Sequence, residues 1–142
     1  MKDGFIKVAA ITPSIKVADC EYNAKVIADA AKAAAKRGVK LAVFPELSVC
    51  GYTVGDLILH DTLIDGCNKA LGSIAAATSA SDIVIVVGAP IVNCNKLYDC
   101  AVVINRGKVI GISPKSNIPN YGEFYELRYF TPYDGRCPDT AT

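Results

Sequence analysis

Tryptophan is absent from this chain, histidine and methionine occur once each, and no two cysteines are spaced C-x-x-C. With only His60 and no cysteine pair, there is no ligand cluster of the kind a structural zinc needs, and the sequence predicts no metal site. Charge of one sign is also missing: 15 Lys plus Arg stand against 14 Asp plus Glu, with no basic patch, which argues against a nucleic-acid partner. Long apolar runs are absent. Stretches such as Ile83 to Val87 are far too short to span a bilayer, and the start, MKDGFIK, lacks the apolar centre of a secretory signal. A cytoplasmic protein without a membrane partner is the expectation. No glycine-rich phosphate loop, internal repeat or low-complexity segment occurs.

What is present suits one globular domain. The chain has 142 residues, 51% hydrophobic and 20% charged, enough to bury a core without staples. The six cysteines, Cys20, Cys50, Cys67, Cys94, Cys100 and Cys137, are scattered and read as free thiols. Phe5 to Ile11 reads as a strand buried on both faces. A helix follows from the cap Asp19 to the stop at Lys36-Arg37-Gly38, with Tyr22, Val26, Ile27, Ala30, Ala31 and Ala34 at helical spacing. Val39 to Phe44 is the next buried strand, so the opening is a βαβ unit with parallel strands. Beyond it the sequence predicts a short helical piece over Asp56 to His60, a helix over Leu63 to Thr78 and a strand over Ile83 to Gly88. A connection through Ala89-Pro90 and Asn93 to Lys96 then leads to a hairpin, Tyr98 to Asn105 and Lys108 to Ser113, turning at Arg106-Gly107.

Two stretches carry chemistry. In VFPELSVCGYT, Val43 to Thr53, a buried strand ends in Pro45 and the carboxylate Glu46, which leaves water only if paired or hydrogen-bonded. In PKSNIPNYGEFYELRYF, Pro114 to Phe130, Lys115 leaves the last strand and enters a loop of mixed aromatic and charged residues, the composition of a ligand-facing or partner-facing surface. Binding groups of α/β sheets collect beyond the carboxyl ends of the strands. Glu46 and Lys115 both stand at strand ends, with opposite charge.

These two motifs together resemble the nitrilase, or carbon-nitrogen hydrolase, superfamily, and within it the glutamine-hydrolysing domains attached to NAD synthetases. The resemblance runs from Phe5 to Phe130. It implies a four-layer α-β-β-α sandwich, of which this chain would hold the N-terminal part. It also implies a catalytic Glu, Lys and Cys. Glu46 matches the general base and Lys115 the cation that stabilises the oxyanion. Glu123 matches a second glutamate that holds the lysine in place, with Glu126 as its rival. Tyr52 and Tyr121 match tyrosines lining the glutamine site; as residues alone they read nearly as well as aromatic packing beneath a loop.

The nucleophile is where the chain departs from that pattern. It belongs on a later strand end, followed by acidic residues and usually a tryptophan, and nothing here fits. Cys137 stands in RCPDTAT without either feature, and the family has no nucleophile at the position of Cys50. The expectation is therefore an amino-terminal piece of a glutaminase domain, inactive by itself and prone to form homo-oligomers through uncovered sheet. The parent would hydrolyse glutamine and pass ammonia to an absent C-terminal domain using ATP and magnesium to make NAD. This stretch itself would need no cofactor. Two alternatives remain: another carbon-nitrogen hydrolase such as an ω-amidase or carbamoylase, and a non-catalytic binding module.

Overall fold

The structure is a computed structural model that describes residues 4–135. Five strands form one sheet in the order β1-β2-β3-β4-β5: β1 Val8–Ala10, β2 Leu41–Val43, β3 Val84–Asn93, β4 Lys96–Asn105 and β5 Lys108–Pro114. The first three are parallel and the last two pairings antiparallel. Helix α1, Cys20–Lys36, crosses from β1 to β2, and α2, Asp61–Thr78, leads into β3.

Local chemistry explains these boundaries. The Asp19 carboxylate accepts the Tyr22 N–H and satisfies an orphan donor at the start of α1. At the other end Gly38 takes φ +81°, a left-handed exit that suits a residue without a side chain. The buried stripes of α1 (Ala24, Ile27, Ala31, Ala34) and α2 (Leu63, Cys67, Leu71, Ile74) share one core with Ala42, Ile85, Val87, Val102 and Ile104. Each fully buried isoleucine there contributes roughly 1.5–3 kcal/mol of burial free energy.

The helices cover one face of the sheet only. Residues of opposite parity on the strands point the other way, and there Val8 is 58% and Val43 40% exposed. This corrects the expectation that Phe5 to Ile11 is buried on both faces: β1 is a three-residue edge strand, and Phe5 and Ile6 are exposed. The described residues thus supply one sheet and one helix layer of the sandwich.

A second correction concerns Ala89 to Lys96. The expected connection is a tight β3–β4 hairpin whose two turn residues, Cys94 and Asn95, have φ of +49° and +58°, the twist that favours two-residue hairpins. Pro90 is tolerated inside β3 because the β2 pairing ends at Val86, leaving β3 a partner on one side from there on. The expected hairpin at Arg106-Gly107 forms, with φ of +46° and +80°. The short helical piece is a 3-10 helix, Tyr52–Leu59, broken at Thr53 and Gly55.

Two devices fix the turn that follows β2. The fully buried Asn23 side chain donates to Lys16 O and Val49 O, at 2.7 and 3.0 Å, and accepts from Lys16 N, so α1 clamps the turn. From the sheet side, Val49 N–H donates to Gly88 O. A Cβ at Gly88 would come within 2.2 Å of Leu47 N and 2.7 Å of Glu46 Cα, both backbone atoms. Gly88→Ala should therefore cost about 3 kcal/mol by displacing the Glu46 backbone, read as a lowered midpoint in urea unfolding; Gly72→Ala, with nothing within 4 Å, should not lower it.

Candidate active site

Glu46 leaves β2 through Pro45 and enters a turn in which Leu47 adopts φ +49°. Lys115 directly follows β5, its N–H donating to Asp99 O of β4 at 2.9 Å. These two strand ends, 69 positions apart in sequence, bring the Lys115 ammonium to 2.5 Å from Glu46 Oε1. The same ammonium lies 2.7 Å from Glu126 Oε2 and 3.7 Å from Asp99 Oδ2. One cation thus faces three carboxyl groups. Asp99 and Glu126 are buried, whereas the Glu46 side chain keeps 41% exposure.

Glu126 begins a short 3-10 helix, Glu126–Arg128. Its second oxygen accepts the Tyr52 hydroxyl at 2.7 Å. The next turn is tied to the Tyr52–Leu59 helix from outside: Arg128 makes a two-pronged contact with Asp56 at 2.9 and 3.0 Å, and Tyr129 OH donates to Asp56 as well. This paired geometry fixes the orientation of the segment that carries Glu126.

The electrostatics follow the contacts. Burial alone would push the Lys115 pKa down, but its hydrogen bonds to Glu126 and Glu46 prevail and hold it above the usual lysine range. The neighbouring Asp99 carboxyl and the nearby Lys115 ammonium together hold the Glu46 carboxyl below its ordinary value against the effect of burial. Asp99 moves the opposite way, pushed up to about 8 by burial and by the Glu46 charge. Burial and the bond to Glu126 push the Tyr52 hydroxyl up to about 12, so it stays a donor. The carboxyls of Glu46, Asp99 and Glu126 each place an oxygen within 4.8 Å of the others, but the Lys115 ammonium already stands among them as the cation.

Of the residues singled out by sequence, the structure brings together Glu46, Lys115 and Tyr52. Glu123 does not support Lys115: it is exposed and lines the rim of a neighbouring cleft with Tyr52 and Tyr129, while Glu126, its rival, makes the ion pair. The turn through Gly122, φ +59°, precedes the 3-10 helix, and it is the first residue of that helix that faces inward. Tyr121 is 72% exposed and packs edge-on against Phe124, outside the cluster. Asp99 was missed. The alternation from Ala101 to Ile104, which buries Val102 and Ile104 on the helix side, is the signal that places it, since Asp99, across from Pro90, has the opposite parity and lies on the other face.

No cysteine sulfur among the described residues is bonded to this cluster. Cys20 meets Cys67 at 3.6 Å, and Cys50 donates to Leu47 O and Gly51 O, inside the core. Cys100 is buried and its pKa is pushed up to about 12 by burial, which keeps it a thiol. Cys137 lies outside the described residues.

Replacing the central cation should expose the dependence. Lys115→Met leaves Glu126 buried without a counter-charge and should cost about 2–3 kcal/mol at pH 7. Unneutralised buried carboxyls have raised folded pKa values, so the loss should shrink as pH falls toward 5 and the folded protein takes up protons. Glu123→Gln should change stability by less than about 0.5 kcal/mol. Urea unfolding of both variants at pH 5 and 7 checks this.

Comparison with known proteins shows the family and the fold. Residues 7–142 match the family model described as carbon-nitrogen hydrolase. A glutamine-dependent NAD(+) synthetase of Mycobacterium bovis is 44% identical over 134 residues, covering 93% of this chain and 19% of the relative. The human glutamine-dependent NAD(+) synthetase is 34% identical over 116 residues, 81% of this chain and 16% of the relative. This chain spans about a fifth of the length of these curated relatives. Among solved structures, a glutamine-dependent NAD(+) synthetase from Cytophaga hutchinsonii superposes with a TM-score of 0.84 at 30% identity, over 96% of this chain and 22% of that one. An amidase from Nesterenkonia, at 23% identity and a TM-score of 0.74 over 91% of this chain and 48% of that one, shares the fold. By the match over residues 7–142 and its nitrilase-like fold, the chain belongs to the carbon-nitrogen hydrolase family.

Proposed function

We propose that this chain carries the general base and the oxyanion-stabilising cation of a glutaminase that supplies ammonia for NAD synthesis. The observation that supports it most is the contact of Lys115 Nζ with Glu46 Oε1 at a strand-end crevice. A groove of about 340 Å³ lies beside that contact, lined by Val43, Glu46, Val86, Gly88, Asp99 and Lys115.

In this reading the thiol nucleophile comes from residues of a longer polypeptide beyond the described segment. Glu46, held ionised, takes the thiol proton as sulfur attacks the side-chain amide carbon of glutamine. The amide oxygen becomes an oxyanion beside the Lys115 ammonium, which is charged throughout because its pKa is raised. As the C–N bond breaks, Glu46 returns the proton to the leaving nitrogen, releasing ammonia and leaving a thioester. Glu46 then takes a proton from water, which attacks the thioester; glutamate leaves and the thiol recovers its proton. Glu126 holds Lys115, and Tyr52 holds Glu126. Tyr121 serves this reading only as a rim residue for glutamine, from its exposed place next to Phe124.

The ammonia would pass to the synthetase portion of the parent, where ATP and magnesium activate nicotinic acid adenine dinucleotide for amidation. The reaction would run in the cytoplasm, where glutamine and ATP are available. The 142-residue chain alone should release no glutamate from glutamine. In the parent-length enzyme, Glu46→Gln should lower glutamine-dependent turnover at least about a thousandfold while ammonia-dependent NAD formation persists. Wild-type glutamine turnover by that variant would contradict the assignment of Glu46 as base.

A further inference from the structure

Asp99 has no part in the chemistry above, yet it is 4% exposed at the centre of the site. Among the described residues, the groups that act on it or adjoin it come from separate elements. Glu46 comes from the turn after β2, Lys115 from the end of β5, and Glu126 from the 3-10 helix; Tyr52 is held on Glu126, and Cys100 is next in the strand. With all three carboxyls ionised, one ammonium would face three negative charges in a half-buried space. Such an imbalance is relieved by a proton.

Geometry decides which carboxyl holds that proton. Both oxygens of Glu126 already accept, one from Tyr52 and one from Lys115, each at 2.7 Å, so protonating it would displace a donor. Glu46 accepts directly from Lys115 and reaches solvent. Asp99 is the most buried of the three side chains and lies 3.7 Å from the ammonium, beyond hydrogen-bond reach. An oxygen of Asp99 lies within 4.8 Å of an oxygen of Glu46. Two carboxyl groups brought together share a hydrogen bond only with a proton between them, because an ionised carboxylate is an acceptor alone.

We propose that Asp99 is a positioning residue that stays a neutral carboxylic acid and donates its proton in a hydrogen bond to Glu46, keeping the Glu46 carboxylate anionic and aimed at the groove. The proposal rests on the reading of Glu46 as the base. It adds that the base is oriented from two sides, by the ammonium of Lys115 and by a carboxylic acid that does the work of an amide. The pair titrates together, with the upper step on Asp99 at about 8. Above that pH the donor is lost and two carboxylates repel.

The test is a pH titration of the 142-residue chain labelled with 13C at the Asp and Glu carboxyl carbons. One aspartate signal, absent in Asp99→Asn, should remain that of a neutral acid at pH 6.5 and titrate near 8, while Glu46 titrates below the usual glutamate range. If no aspartate titrates above pH 6, or if Glu46 carries the proton instead, the proposal fails; this holds even without the variant. The raised folded pKa also predicts that the contribution of Asp99 to stability is largest below about pH 4 and is lost as pH rises to about 8. Asp99→Asn should remove that slope, and an unchanged slope would overturn the proposal. In the parent enzyme, Asp99→Asn, which keeps a donor, should retain glutaminase activity and lose its alkaline limb, whereas Asp99→Ala should lose about a hundredfold. An alkaline limb unchanged in Asp99→Asn would contradict the assignment. The titration requires no turnover, so its failure and the failure of the amidase reading are separate results.

Discussion

The ammonium of Lys115 is the interaction on which the rest of the site depends. Three carboxyl groups drawn from three separate segments converge on it, and without it their juxtaposition would be strongly repulsive. Sequence-distant pieces are thereby locked to one another: the turn after β2, the strand β4 and the 3-10 helix at Glu126. The outer Asp56–Arg128 contact is exposed and contributes little by itself. Its role is geometric, since it holds the segment that delivers Glu126.

The fold serves this cluster by making strand ends meet. Parallel pairing of β1, β2 and β3 sends the chain after β2 past Gly88, where only a hydrogen fits against the Glu46 backbone. The antiparallel β3–β4–β5 meander then returns Asp99 and Lys115 to the same edge, joined by the Lys115 N–H to Asp99 O bond. Helices fill one face, and the groove beside the site opens on the other, where Val8 and Val43 are exposed. Chemistry and bare apolar surface therefore share one side of the sheet.

Much of this was legible in the sequence because the signals were local. Glu46 after Pro45 at the end of an apolar strand, and Lys115 after Pro114, were read from strand-end position and opposite charge. The helices followed from apolar spacing and caps. Misreadings came where tertiary context overrode local pattern. Pro90 and the polar Asn93 to Lys96 looked like a connection, but a strand lacking a neighbour on one side accepts proline, and Cys94-Asn95 adopts left-handed geometry without glycine. Glu123 and Glu126 are equivalent as letters in a loop; the turn at Gly122 and the 3-10 helix beyond it decide which one turns inward. Asp99 between Tyr98 and Cys100 looked like an ordinary strand residue, and only the convergence of the other three groups gives it meaning. Burial on both faces of β1 was over-read because an apolar run says that a strand can be covered, not what covers it.

A double-mutant cycle between Lys115 and Glu126 tests the central claim most directly. Lys115→Met, Glu126→Gln and the double variant would be compared by urea unfolding at pH 7. If the ammonium organises the cluster, the two changes will be non-additive by about 2 kcal/mol, because the second removes a charge that the first had already left unpaired. Additivity within about 0.5 kcal/mol would mean that Lys115 and Glu126 are neighbours without being partners, and the account of a site built around one cation would be wrong.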